Sequence, residues 1–107
     1  MEVSQYQIVI VNLDPTRGSE IKKTRPCVVI SPNEMNNHLK TLVIAPLTTS
    51  STNYPTRVKV NYQNKKGRIV VDQIRTIDKS RVISLSSTLS KKEIENLKKI
   101  INETFVQ

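Results

Sequence analysis

Short apolar runs separated by turn residues fill most of the chain and predict a β-rich fold. Apolar and β-branched residues cluster over residues 6–13, 27–30, 41–47, 57–62, 68–71 and 81–85. Runs of this length are typical of strands rather than of helices. In the fourth run, "RVKVNY", cations alternate with valines, which indicates a strand with one face in water. The pattern therefore predicts five or six short strands before the C-terminal segment.

The C-terminal segment carries a helical pattern instead. Ser90 and Glu93 form the signature of a capping box, and Leu89 and Ile94 flank it as a hydrophobic staple. Beyond this start, one helical face is apolar and is expected to pack on the sheet as core. That face comprises Ile94, Leu97, Ile100, Ile101 and Phe105.

Turn residues divide the predicted strands. Residues 64–67, "NKKG", predict the turn between the fourth and fifth strands. Ser31 and Pro32 end the second strand and open one helical turn, and Pro46, which has no N–H, predicts an open or bulged strand edge. Short strands followed by one helix predict a single domain over residues 1–107. Its expected fold class is mainly β with a C-terminal helix, a small, strongly curved antiparallel sheet or barrel.

The charge of the chain is concentrated in the region of the predicted strands. There are 17 Lys and Arg residues against 9 Asp and Glu, a formal net charge of +8. The first 90 residues hold 13 of the basic and 6 of the acidic groups. Such a surface attracts polyanions and steers them toward the protein. A basic surface that serves only solubility is the alternative interpretation.

Several features indicate a cytoplasmic protein with no membrane association. No apolar run approaches the ~20 residues of a membrane helix, and residues 1–5 lack the basic-then-apolar pattern of a secretion signal. Cys27 is the single cysteine, so it cannot close an internal disulfide. Because it lies in an apolar run, we expect a buried core residue rather than a catalytic thiol.

Residue counts argue against several classes of catalysis. His38 is the single histidine, no acidic pair stands at ligand spacing, and the chain has two glycines. We therefore expect no metal site, no Ser-His-Asp triad and no glycine-rich phosphate loop. No cofactor is expected.

The stretch "GSEIKKTRPCVVIS" places an arginine at the start of a buried strand. Pro26 biases Arg25 toward extended backbone, and the apolar run that follows fixes its position. A guanidinium held in this way loses little entropy when its planar fork binds a phosphate. Glu20, in the same loop, is a candidate to orient the guanidinium or to accept a proton. A salt bridge between Arg25 and Glu20 is the alternative interpretation.

Hydroxyl residues that follow the third strand are candidates for the same site as Arg25. Residues 48–52, "TTSST", follow that strand and are expected to converge with Arg25 on one cleft. A fixed cation, a carboxylate and hydroxyl donors suit cleavage of RNA by its own 2′-OH, because preorganised donors stabilise the charge that develops on phosphorus. DNA, which lacks the 2′-OH, would not react.

Four motifs, in this order and spacing, resemble the MazF/PemK-type toxin endoribonucleases: "LDPTRGSE", "TRPCVVISP" with the following "NN", "IAPLTT" and "DQIRTID". The resemblance runs from about residue 6 to residue 81, with a compatible final helix. It implies an SH3-like curved barrel of the CcdB/PemK-like superfamily and a homodimer. It also implies metal-independent, sequence-specific cleavage of single-stranded RNA, often mRNA, to a 2′,3′-cyclic phosphate and a 5′-OH end. A cognate antitoxin would lay an acidic C-terminal segment along the RNA groove.

Carried over residue by residue, the resemblance assigns catalysis to Arg25, Thr48 and Glu20. Some members have a histidine at the position of Ser19 and an arginine at the position of Val70. Because this chain has neither, the chemistry is expected to depend on Arg25 and Thr48. Contacts to the RNA backbone, sugars or bases are predicted for a larger polar set: Ser19, Lys22, Lys23, Asn36, Thr49, Asp72 and Gln73.

Two other functions fit parts of the sequence. A basic barrel that binds nucleic acid without cutting it would show the same charge. A gyrase-directed toxin of the same superfamily would resemble proteins with a tryptophan-bearing C-terminal tail, whereas this chain has no tryptophan and ends "TFVQ". Tyr54 is the one aromatic residue in the predicted loops that could stack on a base. Recognition is therefore expected to depend on hydrogen bonds and charge, with a steep salt dependence.

Overall fold

The computed structural model describes residues 2–13, 24–49 and 54–106, which contain seven strands and two helices. The strands are β1 (Gln7–Asn12), β2 (Thr24–Val29), β3 (Thr41–Thr48), β4 (Arg57–Tyr62), β5 (Lys65–Val70), β6 (Arg75–Asp78) and β7 (Val82–Thr88). The helices are α1 (Asn33–His38) and α2 (Lys91–Phe105), and 3₁₀ turns cover Val71–Gln73 and Lys79–Arg81. The predicted fold, mainly β with a C-terminal helix, is confirmed.

The strands form one curled antiparallel sheet in the order β4-β5-β3-β2-β1-β7, with β6 also paired to β3. One edge of β3 pairs with β2, and the other edge pairs first with β6 and then with β5. The last pair with β6 is Ile44–Arg75 and the first with β5 is Leu47–Ile69. Pro46 lies at this change of partner, where β3 needs no N–H, as its sequence position predicted.

Apolar side chains are buried on both faces of the sheet. β2 shows the alternation, since Val28 packs in one cluster while Cys27 and Val29 pack in the other. α2 covers the first cluster, which comprises Ile8, Val28, Ala45, Leu47, Val58, Val60, Ile69, Val71, Leu89 and Leu97. The second comprises Val3, Val9, Val11, Cys27, Val29, Leu42, Ile44, Ile77 and Val82. Full burial of each valine, leucine or isoleucine side chain in these clusters stabilises the fold by about 1.5–3 kcal/mol.

The turn between β4 and β5 differs from the prediction. Tyr62 pairs directly with Lys65, so the loop consists of Gln63 and Asn64, whose φ angles are 50° and 61°. Two left-handed residues form the turn that matches strand twist in a hairpin. The prediction that Gly67 belongs to the turn is wrong: Gly67 is buried inside β5.

α2 begins as predicted, but its last turn is not core. The Ser90 hydroxyl accepts a hydrogen bond from the Glu93 N–H at 3.2 Å, and the Glu93 carboxylate accepts one from the Ser90 N–H at 2.8 Å. Leu97 is fully buried, whereas Phe105 is 57% exposed. The expectation that Phe105 is core is wrong, because the apolar face continues beyond the surface that the sheet covers. Neither helix of the described part of the chain is long and apolar enough to cross a membrane.

Candidate active site

A cavity of about 300 Å³ opens where β2 begins, β3 ends and the β4–β5 hairpin turns. Strand ends and a hairpin tip meet here because β3 pairs with both β2 and β5. The lining comprises Arg25, Pro26, Leu47, Thr48, Thr49, Tyr62, Gln63, Lys65, Lys66 and Gly67. We refer to it as the Arg25 cavity.

Arg25 stands at the boundary between water and core. Along β2, Thr24 and Arg25 are exposed, Pro26 is half-buried and the next three residues are buried. Within the β1–β2 ladder, Arg25 pairs with the fully buried Val11. The backbone of Arg25 is therefore fixed by the ladder while its side chain reaches the cavity, which is the arrangement that limits entropy loss on binding an anion.

Thr48 ends β3 next to Arg25. The β2–β3 ladder pairs Cys27 with Pro46, and the same register continued by two residues places Arg25 opposite Thr48. Residues opposite each other in an antiparallel pair project from the same face. The structure thus brings Arg25, Thr48 and the neighbouring Thr49 to one cavity.

Gly67 lets β5 approach Thr48 closely. A Cβ atom at Gly67 would lie 3.2 Å from the Thr48 carbonyl oxygen and 3.8 Å from a Leu47 methyl carbon. The first distance is shorter than an ordinary contact, so a side chain here would push β5 away from β3. The absence of a side chain at Gly67 therefore helps to set the position of Thr48.

The cavity is electropositive. Arg25, Lys65 and Lys66 line it, and none of the described lining residues is a carboxylate. A concave surface with one sign of charge focuses the field and attracts anions. The hairpin lysines and Tyr62 were not predicted as site residues, because only the two-residue turn at Gln63 and Asn64 brings them here.

A second arginine lies near the same part of the sheet. Burial raises the pKa of the Cys27 thiol to about 12, while the charges of Arg25 and Arg75 act in the opposite direction. Both guanidinium groups are therefore within electrostatic reach of Cys27. The thiol is fully buried and protonated at neutral pH, as expected of a core residue. Arg75 was not predicted as a site residue, since its proximity follows from the pairing of β6 with β3.

Asn36 has a structural position, which corrects its prediction as an RNA contact. It is 2% exposed, and its amide group donates to the Ser31 carbonyl oxygen at 2.9 Å and accepts from the Ser31 hydroxyl at 2.6 Å. The Ser31 hydroxyl accepts in turn from the Val43 N–H at 3.1 Å. The side chain of Asn36 thus fastens α1 to β3 and is closed to a ligand.

Asp72 and Gln73 are exposed but do not line the Arg25 cavity. They lie in the 3₁₀ turn after β5, at the end of the hairpin opposite to its loop, and Asp72 accepts a hydrogen bond from Thr56 at 2.9 Å. Nearby, the Arg57 guanidinium stacks 4.7 Å above the ring centre of Tyr54. Four further predicted site residues lie outside the described residues: Ser19, Glu20, Lys22 and Lys23.

Comparison with known proteins agrees with the resemblance in the motifs. Residues 4–105 match the family model described as PemK-like, MazF-like toxin of type II toxin–antitoxin systems. The chain is 34% identical over 106 residues to the endoribonuclease toxin MazF of Escherichia coli K12, covering 94% of this chain and 96% of that protein.

Solved structures with the same fold include complexes with antitoxins. The MazE–MazF structure (Form-II) from Deinococcus radiodurans has a TM-score of 0.83 at 21% identity, covering 100% of this chain and 98% of that one. An endoribonuclease in complex with its cognate antitoxin, from a mycobacterial species, has a TM-score of 0.82 at 19% identity, covering 97% and 95%.

Proposed function

Because the chain belongs to the family of PemK-like, MazF-like toxins of type II toxin–antitoxin systems and is an endoribonuclease toxin, we propose that the Arg25 cavity is its active site. The observation that carries the proposal is the placement of Arg25 and Thr48, from neighbouring strands, in one electropositive cavity. A cation and a hydroxyl donor at fixed positions suit a reaction that builds negative charge on phosphate oxygens.

The proposed reaction is the metal-independent cleavage of single-stranded RNA, mRNA included. The 2′-oxygen attacks the adjacent phosphorus, and the bond from phosphorus to the 5′-oxygen breaks. Glu20 takes the proton from the 2′-hydroxyl, and the departing 5′-oxygen receives a proton from Arg25, which solvent restores. The products are a 2′,3′-cyclic phosphate and a 5′-hydroxyl end.

Arg25 and Thr48 act mainly by stabilising the transition state. A guanidinium carries five N–H donors and no acceptor, so Arg25 is suited to bind the phosphorane and to donate rather than to abstract a proton. The Thr48 hydroxyl donates to a non-bridging oxygen of the same group. Removing one such preorganised donor typically costs about 10²–10³ in rate.

The remaining contacts hold and select the RNA. Lys65 and Lys66 attract its backbone at the cavity, and Thr49, which lines the same cavity, bonds a sugar or phosphate. Predicted contacts elsewhere along the strand are Ser19, Lys22, Lys23, Asp72 and Gln73. Lysines that neutralise phosphates release counterions, so affinity is expected to fall as salt rises.

The proposed setting is that of the family. The protein acts in the cytoplasm as a homodimer, and a cognate antitoxin covers the basic groove with an acidic C-terminal segment. The formal charge of +8 favours such a partner. On the edge strand β7, Ile83 and Leu85 are 54% and 38% accessible. These exposed apolar side chains support a contact with a second copy of the chain.

The test is incubation of the purified protein with single-stranded RNA in excess EDTA. Cuts at discrete sites, with cyclic phosphate at the 3′ ends, are expected. An RNA with deoxyribose at the cut site should stay intact, because the nucleophile is missing. Intact RNA in every sample, despite binding, would instead indicate a non-catalytic nucleic-acid-binding protein.

A further inference from the structure

A second cavity of about 450 Å³ lies between the β4–β5 hairpin and the start of α2. We refer to it as the hairpin–helix cleft. Four cations line it: Lys59, Lys66, Arg68 and Lys92. Glu93 is the one carboxylate among the described residues that line it. The cleft is therefore strongly positive, although it holds none of the proposed catalytic residues.

Strand pairing gathers three of these cations on one face of the hairpin. Lys59 is directly opposite Arg68, and Asn61 is directly opposite Lys66. Since residues two apart on a strand share a face, these four side chains project together, away from the buried valines of β4. Lys66 and Arg68 are separated by roughly 7 Å along the strand, comparable to the spacing of successive phosphates in an extended nucleic-acid strand.

The cations occupy positions that local energetics disfavour. Like charges directly opposite each other on a sheet, as at Lys59 and Arg68, destabilise the pair. Lys92 lies in the first turn of α2, where the helix dipole disfavours a cation by about 0.3–1 kcal/mol. Places where a sequence departs from local preferences are commonly functional. Here the departures coincide in one cleft.

The carboxylate in the cleft is already engaged. One oxygen of Glu93 accepts from the Ser90 N–H at 2.8 Å, and the other accepts from the Asn61 N–H at 2.8 Å. Glu93 thus joins helix to hairpin, and among the described residues that line the cleft the basic side chains outnumber the acidic ones by four to one. The ligand suggested by this balance is a polyanion, bound by side chains rather than by the capped end of the helix.

The cleft adjoins the Arg25 cavity, because Lys66 and Gly67 line both. An endonuclease cuts inside a strand, so nucleotides must continue on both sides of the phosphate held at Arg25. We propose that the hairpin–helix cleft is a subsite that binds phosphates of the RNA flanking the cut. This inference rests on the proposed function and adds to it a path for the substrate along the hairpin.

The test compares a cleft variant with a matched variant elsewhere. Lys59→Gln combined with Lys92→Gln removes two charges that line the cleft but not the Arg25 cavity. Lys98→Gln combined with Lys99→Gln removes the same charge from exposed sites of α2 that line neither cavity. Binding is measured with two RNAs that have deoxyribose at a cut site mapped with the wild type. One has long unpaired flanks, and the other is trimmed to the nucleotides around the cut.

For the long RNA, the cleft variant should bind about tenfold more weakly, as expected for two exposed charge contacts. The slope of log affinity against log salt should fall by about 1.4, since each phosphate contact on a single strand contributes about 0.7. Affinity for the trimmed RNA should not change, and neither should the cleavage rate of the same short RNA made with ribose at the cut site. The control variant should bind both RNAs nearly as the wild type does, and Lys92→Gln should not lower the melting temperature.

Three results would overturn the subsite. They are unchanged affinity for the long RNA, an equal loss in the control variant, and an equal loss on the trimmed RNA. A cleft variant that keeps its RNA affinity but loses affinity for an oligoglutamate peptide would assign the cleft to an acidic protein instead. Failure of the proposed function is distinct: the wild type would then cut no RNA and no cut site could be mapped, whereas failure of the subsite leaves wild-type cleavage intact.

Discussion

Among single residues, Arg25 combines a fixed backbone with an accessible charge. Its ladder partner Val11 is fully buried, yet Arg25 itself is exposed and lines the cavity. A surface arginine in a loop would lose more freedom on binding a phosphate. The value of Arg25 to catalysis should therefore depend on its planar fork as well as on its charge.

Arg25→Ala should lower the single-turnover cleavage rate by about 10³, and Arg25→Lys by about 10², because lysine keeps the charge but not the two-pronged geometry. Rates are measured at saturating RNA to separate chemistry from binding. Thermal unfolding should change little, since the side chain is exposed. Lys99→Ala, an exposed change on α2, is the control. A rate for Arg25→Lys equal to that of the wild type would refute the geometric role.

Arg25 and Asn36 show what sequence reasoning reaches at this scale. Arg25 could be placed because Pro26 and the apolar run after it act locally on one strand. Asn36 follows the same strand and is polar, so it was predicted as an RNA contact. Its burial depends on Ser31 and on the N–H of Val43 from the next strand. No local pattern reveals whether a polar side chain finds such partners.

Among the elements, β5 packs directly against the end of β3 that carries Thr48. The sequence "NKKG" suggested a glycine turn, but the loop is formed by Gln63 and Asn64. Asparagine tolerates the left-handed backbone, so glycine was not needed there. Gly67 is instead required where β5 passes the Thr48 carbonyl. The error in the turn hid the lysines of the hairpin, because it placed them in a loop rather than beside the cavity.

Gly67→Ala should slow cleavage about tenfold by moving Thr48 a few tenths of an ångström, since small misplacements are costly in catalysis. Its Cβ would meet the Thr48 carbonyl oxygen, a backbone atom that cannot rotate away. Stability should fall by about 1 kcal/mol, as strain outweighs the entropy gained from losing a glycine. Single-turnover rates and urea unfolding measure the two effects.

The double variant Gly67→Ala, Thr48→Val tests whether Gly67→Ala slows cleavage by moving Thr48 or by disturbing the structure more widely. If Gly67→Ala acts through Thr48, it should cost little further activity once the hydroxyl is gone. Fully additive losses in the double variant would contradict that mechanism. Thr48→Val is nearly isosteric, so it tests the hydroxyl without changing the packing of the strand.

At the scale of the whole molecule, the fold class followed from the sequence but the site only in part. Alternating strands and a capped final helix are local features, so the sequence alone predicts them. The pairing of β3 with β6 and β5 is not local. It brings Arg75, like Arg25, within electrostatic reach of Cys27, and it sets beside the end of β3 the strand β5, whose residues line both basic cavities. The sequence predicts the positive charge, whereas the non-local strand pairing determines which basic side chains line a common cavity.

Cys27 belongs to the second apolar cluster and follows Arg25 by two residues on β2. The titration of its thiol can therefore report how well the core is closed next to the proposed site. The pKa of Cys27 is raised from 9.0 to about 12 by burial. Above pH 9 the thiol ionises in the unfolded chain but stays protonated in the folded protein. Rising pH therefore favours unfolding, by about 1.4 kcal/mol per pH unit until the folded pKa is reached. Below pH 9 this group makes stability independent of pH.

Because lysines and tyrosines also titrate in this range, the measured quantity is the difference between wild type and Cys27→Ala in urea unfolding at each pH. That difference should be constant below pH 9 and should then shift steadily against the wild type. In an Arg25→Ala background the shift should extend to higher pH, because a charge that lowers the thiol pKa has been removed. A difference that stays flat above pH 9 would mean that Cys27 meets solvent, and the sheet would then be less closed beneath Arg25 than its burial indicates.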